Sequence, residues 1–302
     1  MHKLKMRISY TECPVCQNKE LTPFLICKDY TVSGENFEIS YCNHCQTGLT
    51  QNIPDSASIG TYYKSANYIS HTDTKKGLVN QLYHLARNFM LRSKRQLVLQ
   101  QTGLQQGKLL DIGSGTGYFL DNMRQNKWEV MGVEADEDAK RFAEQNFKVS
   151  IFSPQKLNEL PEKQFDAITL WHVLEHLHDL DSTWAHFLRL LKDKGVLFIA
   201  VPNHQSADAR HYQAHWAAYD VPRHLWHFSP KSIKFLAEKH GFYIVKKRLM
   251  PFDPFYISLL SEKYAGNAWG TFLGAWQGGI ALLNGLVNVD CSSSLIYVLK
   301  KK

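Results

Sequence analysis

Little in this sequence points to export or crosslinking. No apolar leader follows Met1-His2-Lys3, and six cysteines in 302 residues are too few and too unevenly placed for a disulfide framework. A reducing, cytoplasmic setting is expected. Internal repeats and low-complexity tracts are absent as well. Long blocks of like charge are missing: 35 Lys and Arg outnumber 28 Asp and Glu, but they cluster only at Lys246-Lys247-Arg248 and at Lys300 to Lys302. Such scatter is ordinary solvated surface and gives no strong nucleic-acid signal. One stretch, Trp269 to Val289, lacks charge altogether. About 20 helical residues can span a bilayer, yet this run holds five glycines together with Thr271, Gln277, Asn284 and Asn288. A buried or interfacial segment is therefore expected, with contact to a membrane surface or a lipid-like acceptor left open. The oligomeric state is not legible.

What is present is organised in two parts. Hydrophobic residues make up 44% of the chain and charged ones 21%, enough for one large core and a small satellite. Five of the six cysteines lie in the first 45 residues, four of them as Cys13-Pro14-Val15-Cys16 and Cys42-Asn43-His44-Cys45. Two such knuckles let four thiolates converge tetrahedrally on one Zn²⁺. With every position filled by protein, the zinc would be a structural staple for a module too small to hold its own core. Cys27, Cys291 and His44 are read as spectators.

The expected organisation is a zinc-ribbon-like module at 1–50, a linker and helical cap at 51–105, and a main domain at 106–302 with insertions at about 203–229 and 251–290. A long helix is predicted from Thr74 to Gln101. Strands are predicted at Lys108 to Ile112, Glu129 to Glu134, Lys148 to Phe152, Phe165 to Leu170, Gly195 to Val201, Phe242 to Leu249 and Ser293 to Leu299. Helices are predicted between the earlier ones, at Gly117 to Gln125, Asp136 to Asn146, Leu174 to Leu191 and Pro230 to His240. Strands alternating with helices imply right-handed crossovers, hence a doubly wound, mostly parallel, seven-stranded α/β sheet of Rossmann-like type.

The first of these strands runs into Leu110-Asp111-Ile112-Gly113-Ser114-Gly115-Thr116-Gly117, directly before a helix. Glycines there let the backbone turn sharply against a ligand, while the free amides of the helix start favour polar or anionic groups. A dinucleotide fingerprint needs its third glycine five positions after the first, and Tyr118 stands there instead. Glu134 closes the second strand, where a carboxylate can accept hydrogen bonds from both ribose hydroxyls.

On these residues the chain resembles class I S-adenosylmethionine (SAM) dependent methyltransferases over roughly 75 to 250. The resemblance implies that Asp111, Gly113, Ser114, Gly115 and Gly117 lie beside the methionine part of SAM and that Glu134 holds the ribose. It also implies that the strand from Phe165 ends at Trp171 beside the cofactor. The cysteine module and Pro222-Arg223-His224-Leu225-Trp226-His227-Phe228-Ser229 resemble small-molecule methyltransferases of the sugar C-methyltransferase kind. Ubiquinone-pathway O-methyltransferases share the core motifs without the four cysteines.

Nine of the fourteen histidines lie between Trp171 and His227, on the side where acceptors bind in open α/β sheets. A neutral imidazole there can take a proton from an acceptor. His224 is the first candidate base, because the similar family places a histidine in the corresponding segment, with His176 and Glu175 in reserve. His172/His176 and His211/His215 have helical spacing and read as neighbours on one face. Tyr62, Tyr63 and Tyr68, with Ser70 and His71, either cover the cofactor sulfonium by cation–π attraction or pack as a linker. The expected activity is methyl transfer from SAM to oxygen or carbon of a small-molecule acceptor. The alternatives are an RNA methyltransferase that grips substrate with the zinc module, and a non-catalytic SAM-binding scaffold.

Overall fold

A computed structural model describes residues 7–63 and 78–302, with side chains in the long helix described from residue 85. The N-terminal part holds β1 (Arg7–Ile8), β2 (Leu21–Lys28), β3 (Asn36–Cys42), β4 (Gly48–Thr50) and β5 (Ile53–Pro54). After α1 (Leu78–Thr102) comes the alternating core of β6 (Lys108–Ile112), α2 (Tyr118–Gln125), β7 (Glu129–Val133), α3 (Glu137–Phe147), β8 (Ile151–Phe152) and β9 (Phe165–Trp171). It continues with α4 (Leu180–Leu190), β10 (Leu191–Pro202), α5 (Ala207–Tyr212), β11 (Trp226–His227), α6 (Pro230–Lys239) and β12 (Phe242–Leu249). The chain closes with α7 (Asp253–Tyr264), α8 (Gly270–Val287) and β13 (Ser294–Lys301).

Seven strands form one sheet in the order β12-β13-β10-β9-β6-β7-β8. Only β13 runs against its two neighbours. The interior strand β10 is buried on both faces, as a strand covered by helices on each side must be. Its alternate residues serve two cores: Leu197 and Ile199 pack with Trp184, Phe187 and Leu236, while Phe198 and Ala200 pack with Leu97, Phe119 and Leu120.

Local chemistry explains where the predicted elements shift. The helix expected from Leu174 is broken into a 3-10 turn, Leu174–His176, and α4, because Asp179 caps a fresh start by accepting from Ser182 N at 2.9 Å. The strand expected from Lys148 shrinks to Ile151–Phe152, since Lys148 takes a left-handed conformation that ends α3. The expected helical faces pairing His172 with His176 and His211 with His215 do not form. His172 sits at φ 59 just past β9, and Gln213, at φ 50 and ψ −129, separates α5 from His215.

The cysteine module is a sheet in the order β11-β4-β3-β2, so one of its four strands comes from residues 226–227. A third core joins Phe37, Ile39 and Tyr62 to Trp216, Tyr219 and Ile257. Through that contact runs a buried guanidinium. Arg223 is 1% exposed; its Nη2 donates to Asp29 Oδ1 at 3.0 Å and to Asp220 Oδ1 at 2.6 Å. Nε donates to Asp220 Oδ2 at 3.0 Å, and Nη1 to the Tyr62 carbonyl at 2.9 Å. Burial alone would raise the Asp29 carboxyl, but the Ser33 amide and Arg223 outweigh it and hold it below the ordinary carboxylate range.

Removing one partner of a buried ion pair leaves an uncompensated charge, so Arg223→Ala should cost about 3–5 kcal/mol in urea unfolding. Because the folded pKa of Asp29 is depressed, its share of stability is present above the unfolded carboxylate pKa and disappears as pH falls through the folded value. A stability-against-pH curve of the wild type should therefore drop on the acid side, and Asp29→Asn should flatten that drop.

Candidate active site

At the carboxyl edge of β6 and β7 the chain turns through the glycine loop. Gly113 N donates to Val133 O at 2.7 Å, which ties the loop to the neighbouring strand. Gly113, Gly115 and Gly117 all have positive φ, at 69°, 52° and 77°, a region open to glycine without steric cost. A Cβ on Gly113 would lie 2.3 Å from Val173 Cγ2, whereas one on Gly115 would meet nothing within 4 Å. The loop is thus packed from below at Gly113 and open above Gly115.

Glu134, at the tip of β7, accepts from Gly115 N at 2.7 Å through Oε2, and from Ala135 N at 2.8 Å and Asp136 N at 2.9 Å through Oε1. A carboxylate offers about four acceptor positions, so these three amides leave room for a further donor. Two buried polar atoms beside this cleft, Ser114 Oγ and Trp171 Nε1, have no hydrogen-bond partner among the described residues. Open space at Gly115, a carboxylate with spare capacity and two orphaned polar atoms fit a polar ligand. Tyr68, Ser70 and His71, which the sequence reading placed near the cofactor, lie outside the described residues.

Asp111 sits under the loop at 2% exposure and accepts from Thr169 Oγ1 at 2.5 Å. Burial pushes its carboxyl up and pushes the nearby Lys94 ammonium down. Lys94 also lies 4.4 Å from the ring centre of Trp171, within cation–π range. The polar network continues to Asp253, the first residue of α7, whose Oδ2 is 3.0 Å from His172 Nε2. His172 Nδ1 lies 3.5 Å from Glu175 Oε1. Burial alone would lower the pKa of His172, but Asp253 and Glu175 overcome it and raise it to about 10, which makes an imidazolium at neutral pH.

Glu175 is fully buried, and neither carboxylate oxygen accepts a hydrogen bond from a described residue. Around it stand His176 and His224, their rings edge to face at 4.6 Å. His224 Nδ1 is 2.8 Å from Ala218 O; a carbonyl can only accept, so Nδ1 carries a hydrogen and, in the neutral ring, Nε2 the lone pair. His176 Nδ1 is 3.0 Å from Arg223 O and 2.9 Å from the Tyr63 hydroxyl. Burial, then His224, push the pKa of His176 down to about 4, so this imidazole is neutral at pH 7. Of the tyrosines named from sequence, Tyr63 therefore reaches the histidines, while Tyr62 bonds Arg7 and Glu35 and packs as linker.

Two groups among the described residues could hold a metal ion. One is Glu175, His176 and His224, and the other is Cys13, Cys16, Cys42 and Cys45; in each, the ligand atoms lie within 4.8 Å of one another. Cys13 and Cys45 sulfurs are 3.5 Å apart, as are those of Cys16 and Cys42. Tetrahedral Zn–S bonds of about 2.3 Å put sulfurs roughly 3.8 Å apart, near the separation of these two pairs, so the donor set suits zinc. His44 stands outside this set, with its ring 5.8 Å from Phe235 of α6. Sequence reasoning missed Lys94 and Asp253: a lysine inside a long helix and an aspartate opening an insertion carry no spacing signal.

A family model described as a methyltransferase domain matches residues 83–247. The chain belongs to this methyltransferase domain family. The match runs from α1 through most of β12 and contains the glycine loop, Glu134, Glu175, His176 and His224. The ubiquinone biosynthesis O-methyltransferase of Pelagibacter ubique is 32% identical over 127 residues, 40% of this chain and 50% of that protein. The protein of the same name from Methylococcus capsulatus is 26% identical over 117 residues, 36% of this chain and 49% of that one. The chain thus spans about half the length of these curated relatives. Among solved structures, the geranyl diphosphate C-methyltransferase of Streptomyces coelicolor aligns with a TM-score of 0.50 at 11% identity, covering 78% of this chain and 89% of that one. A structure described as a sarcosine dimethylglycine methyltransferase from Galdieria sulphuraria aligns with a TM-score of 0.52 at 14% identity, covering 74% and 88%. The doubly wound sheet is the class I methyltransferase fold.

The loop makes a contrasting pair of variants. Gly115→Ala should cost only the left-handed backbone term, about 1–2 kcal/mol, whereas Gly113→Ala adds a collision with Val173 and should cost about 2–5 kcal/mol in all. Equal losses in urea unfolding would refute this account of the loop.

Proposed function

We propose that this chain is a SAM-dependent methyltransferase that methylates oxygen or carbon of a small-molecule acceptor, with a structural zinc ion in the four-cysteine module. The observation that carries the reading is the glycine loop held by Glu134 at 2.7 Å, inside a domain that belongs to the methyltransferase family. Bound SAM supplies a methyl group made electrophilic by a positively charged sulfur. Glu134 would receive a ribose hydroxyl, and Gly113, Ser114, Gly115 and Gly117, above Asp111, would border the methionine portion. Trp171 would close the cleft from β9.

On the acceptor side, His224 is the group suited to take a proton. Its tautomer is fixed by Ala218 O, which leaves Nε2 free to accept. His176, kept neutral by burial and by His224, is the second candidate, and Tyr63 and Arg223 O orient its ring. His172, held as a cation between Asp253 and Glu175, is unsuited to act as a base and instead supports the floor of the acceptor side. Alignment of acceptor and methyl accounts for most of the rate in such transfers, and a base adds roughly 10²- to 10⁴-fold where a proton must leave.

Titration calorimetry with SAM and with S-adenosylhomocysteine tests the cofactor assignment. Both should bind the zinc-replete protein, and Glu134→Ala should weaken binding about 10- to 100-fold, the worth of a hydrogen bond to a charged group. Absence of binding by the folded wild type overturns the proposal. Labelled SAM and a cell extract identify the acceptor; on that acceptor His224→Ala should lower kcat while leaving SAM affinity unchanged. Elemental analysis should find zinc at one equivalent per chain, lost with unfolding of the module in Cys13→Ser.

A further inference from the structure

Among the described residues, the late insertion leaves a broad apolar face exposed. Along α8 and its N-cap, Trp269, Phe272, Trp276, Leu283, Leu286 and Val287 are 78, 70, 62, 64, 64 and 90% exposed. Most recur three or four residues apart, so they form one stripe. The opposite face of the helix is small: Gly274, Gly278, Ala281 and Gly285 are buried. A Cβ on Gly274 would lie 2.7 Å from Leu259 Cα, and one on Gly278 2.8 Å from Phe255 Cα. Backbone contact with α7 therefore fixes the rotation of α8, and the apolar stripe is held outward.

The face extends beyond α8. Tyr256 of α7 is 69% exposed, and Phe252, just before α7, meets Phe89 of α1 edge to face at 5.6 Å. Leu85, one turn earlier on α1, is 66% exposed. Isolated exposed hydrophobic residues need no explanation, but a contiguous face of this kind marks a contact surface.

Charge indicates what the face meets. No charged residue occurs from Tyr264 to Val289. The 25-residue helix α1 carries Arg87, Arg92 and Arg95, besides the inward Lys94, and no acidic residue. At the border, Arg92 and Lys263 are exposed, whereas Glu262 is buried against the Tyr212 hydroxyl and Asp290 is paired with Lys247 at 2.6 Å. An apolar stripe with two tryptophans and a cationic border matches the boundary of an anionic bilayer, where indoles sit at headgroup level and basic side chains meet lipid phosphates. In a two-fold self-association the same patch would face itself, bringing one cationic border near the other. No helix among the described residues is long and apolar enough to cross a membrane.

We propose that the face built from α8, α7 and the exposed side of α1 docks, without spanning, on the surface of an anionic phospholipid bilayer. The test is flotation of the full-length, zinc-replete chain with phosphatidylcholine vesicles, with and without phosphatidylglycerol. The wild type should float with the anionic vesicles and much less with the neutral ones. Trp276→Glu combined with Leu283→Glu should lower the partition coefficient at least about tenfold, since two apolar side chains leave the lipid. Phe272→Ser with Trp276→Ser adds no charge and tests the same face should the first pair disturb folding, which circular dichroism would reveal. A wild type that stays in the soluble fraction with both vesicles overturns the proposal. So does flotation unchanged in either folded variant, or a dimer in sedimentation that disperses on Trp276→Glu and assigns the face to a second copy.

Discussion

The buried guanidinium of Arg223 is the interaction on which the rest of the molecule depends. It binds Asp29 of the cysteine module, Asp220 of its own segment and the carbonyl of Tyr62, and the residue after it is His224. Burying a charge is costly unless every partner is in place. Here the partners come from three separated stretches, so the charge is satisfied only when all three are assembled. The position of the candidate base is thereby set by the packing of the module, and the local backbone alone does not determine it.

A second chain of charges runs beneath the glycine-loop cleft, from Asp111 and Lys94 to Asp253, His172 and Glu175. At His172 the burial penalty is overcome by Asp253 at the start of α7 and by Glu175, whereas at Asp111 on β6 and Lys94 on α1 burial prevails. The consequence is division of labour among the histidines. His172 is locked as a cation, His176 is kept neutral, and His224 is oriented by a backbone carbonyl. His172 and His176 thus differ in protonation because their neighbours differ.

Much of this was legible in the sequence, for physical reasons. The glycine loop needs φ values that only glycine adopts easily, so it stands out as Gly113, Gly115 and Gly117. The parallel core shows itself through apolar runs such as Val196 to Val201 between amphipathic helices, and the four cysteines through their paired spacing. The capping role of Asp179, which splits one expected helix into two elements, was hidden because aspartate is also common on helix surfaces. Lys94 and Asp253 gave no sign, since their meaning arises from tertiary contact. The outward stripe of α8 was visible only as an absence of charge; which side its glycines bury depends on α7.

The strand pairing of Trp226 and His227 with Gly48 and Leu49 bears on how this architecture can change over time. A zinc ribbon closed by its own strands could be gained, lost or exchanged between proteins as a cassette. Here the ladder is completed by a segment about 180 residues downstream, adjoining the histidine side of the cleft. Deleting the cysteine module would strip that two-residue segment of its hydrogen-bonding neighbour. The module and the histidine side of the cleft are therefore structurally interdependent, and a graft would have to carry both.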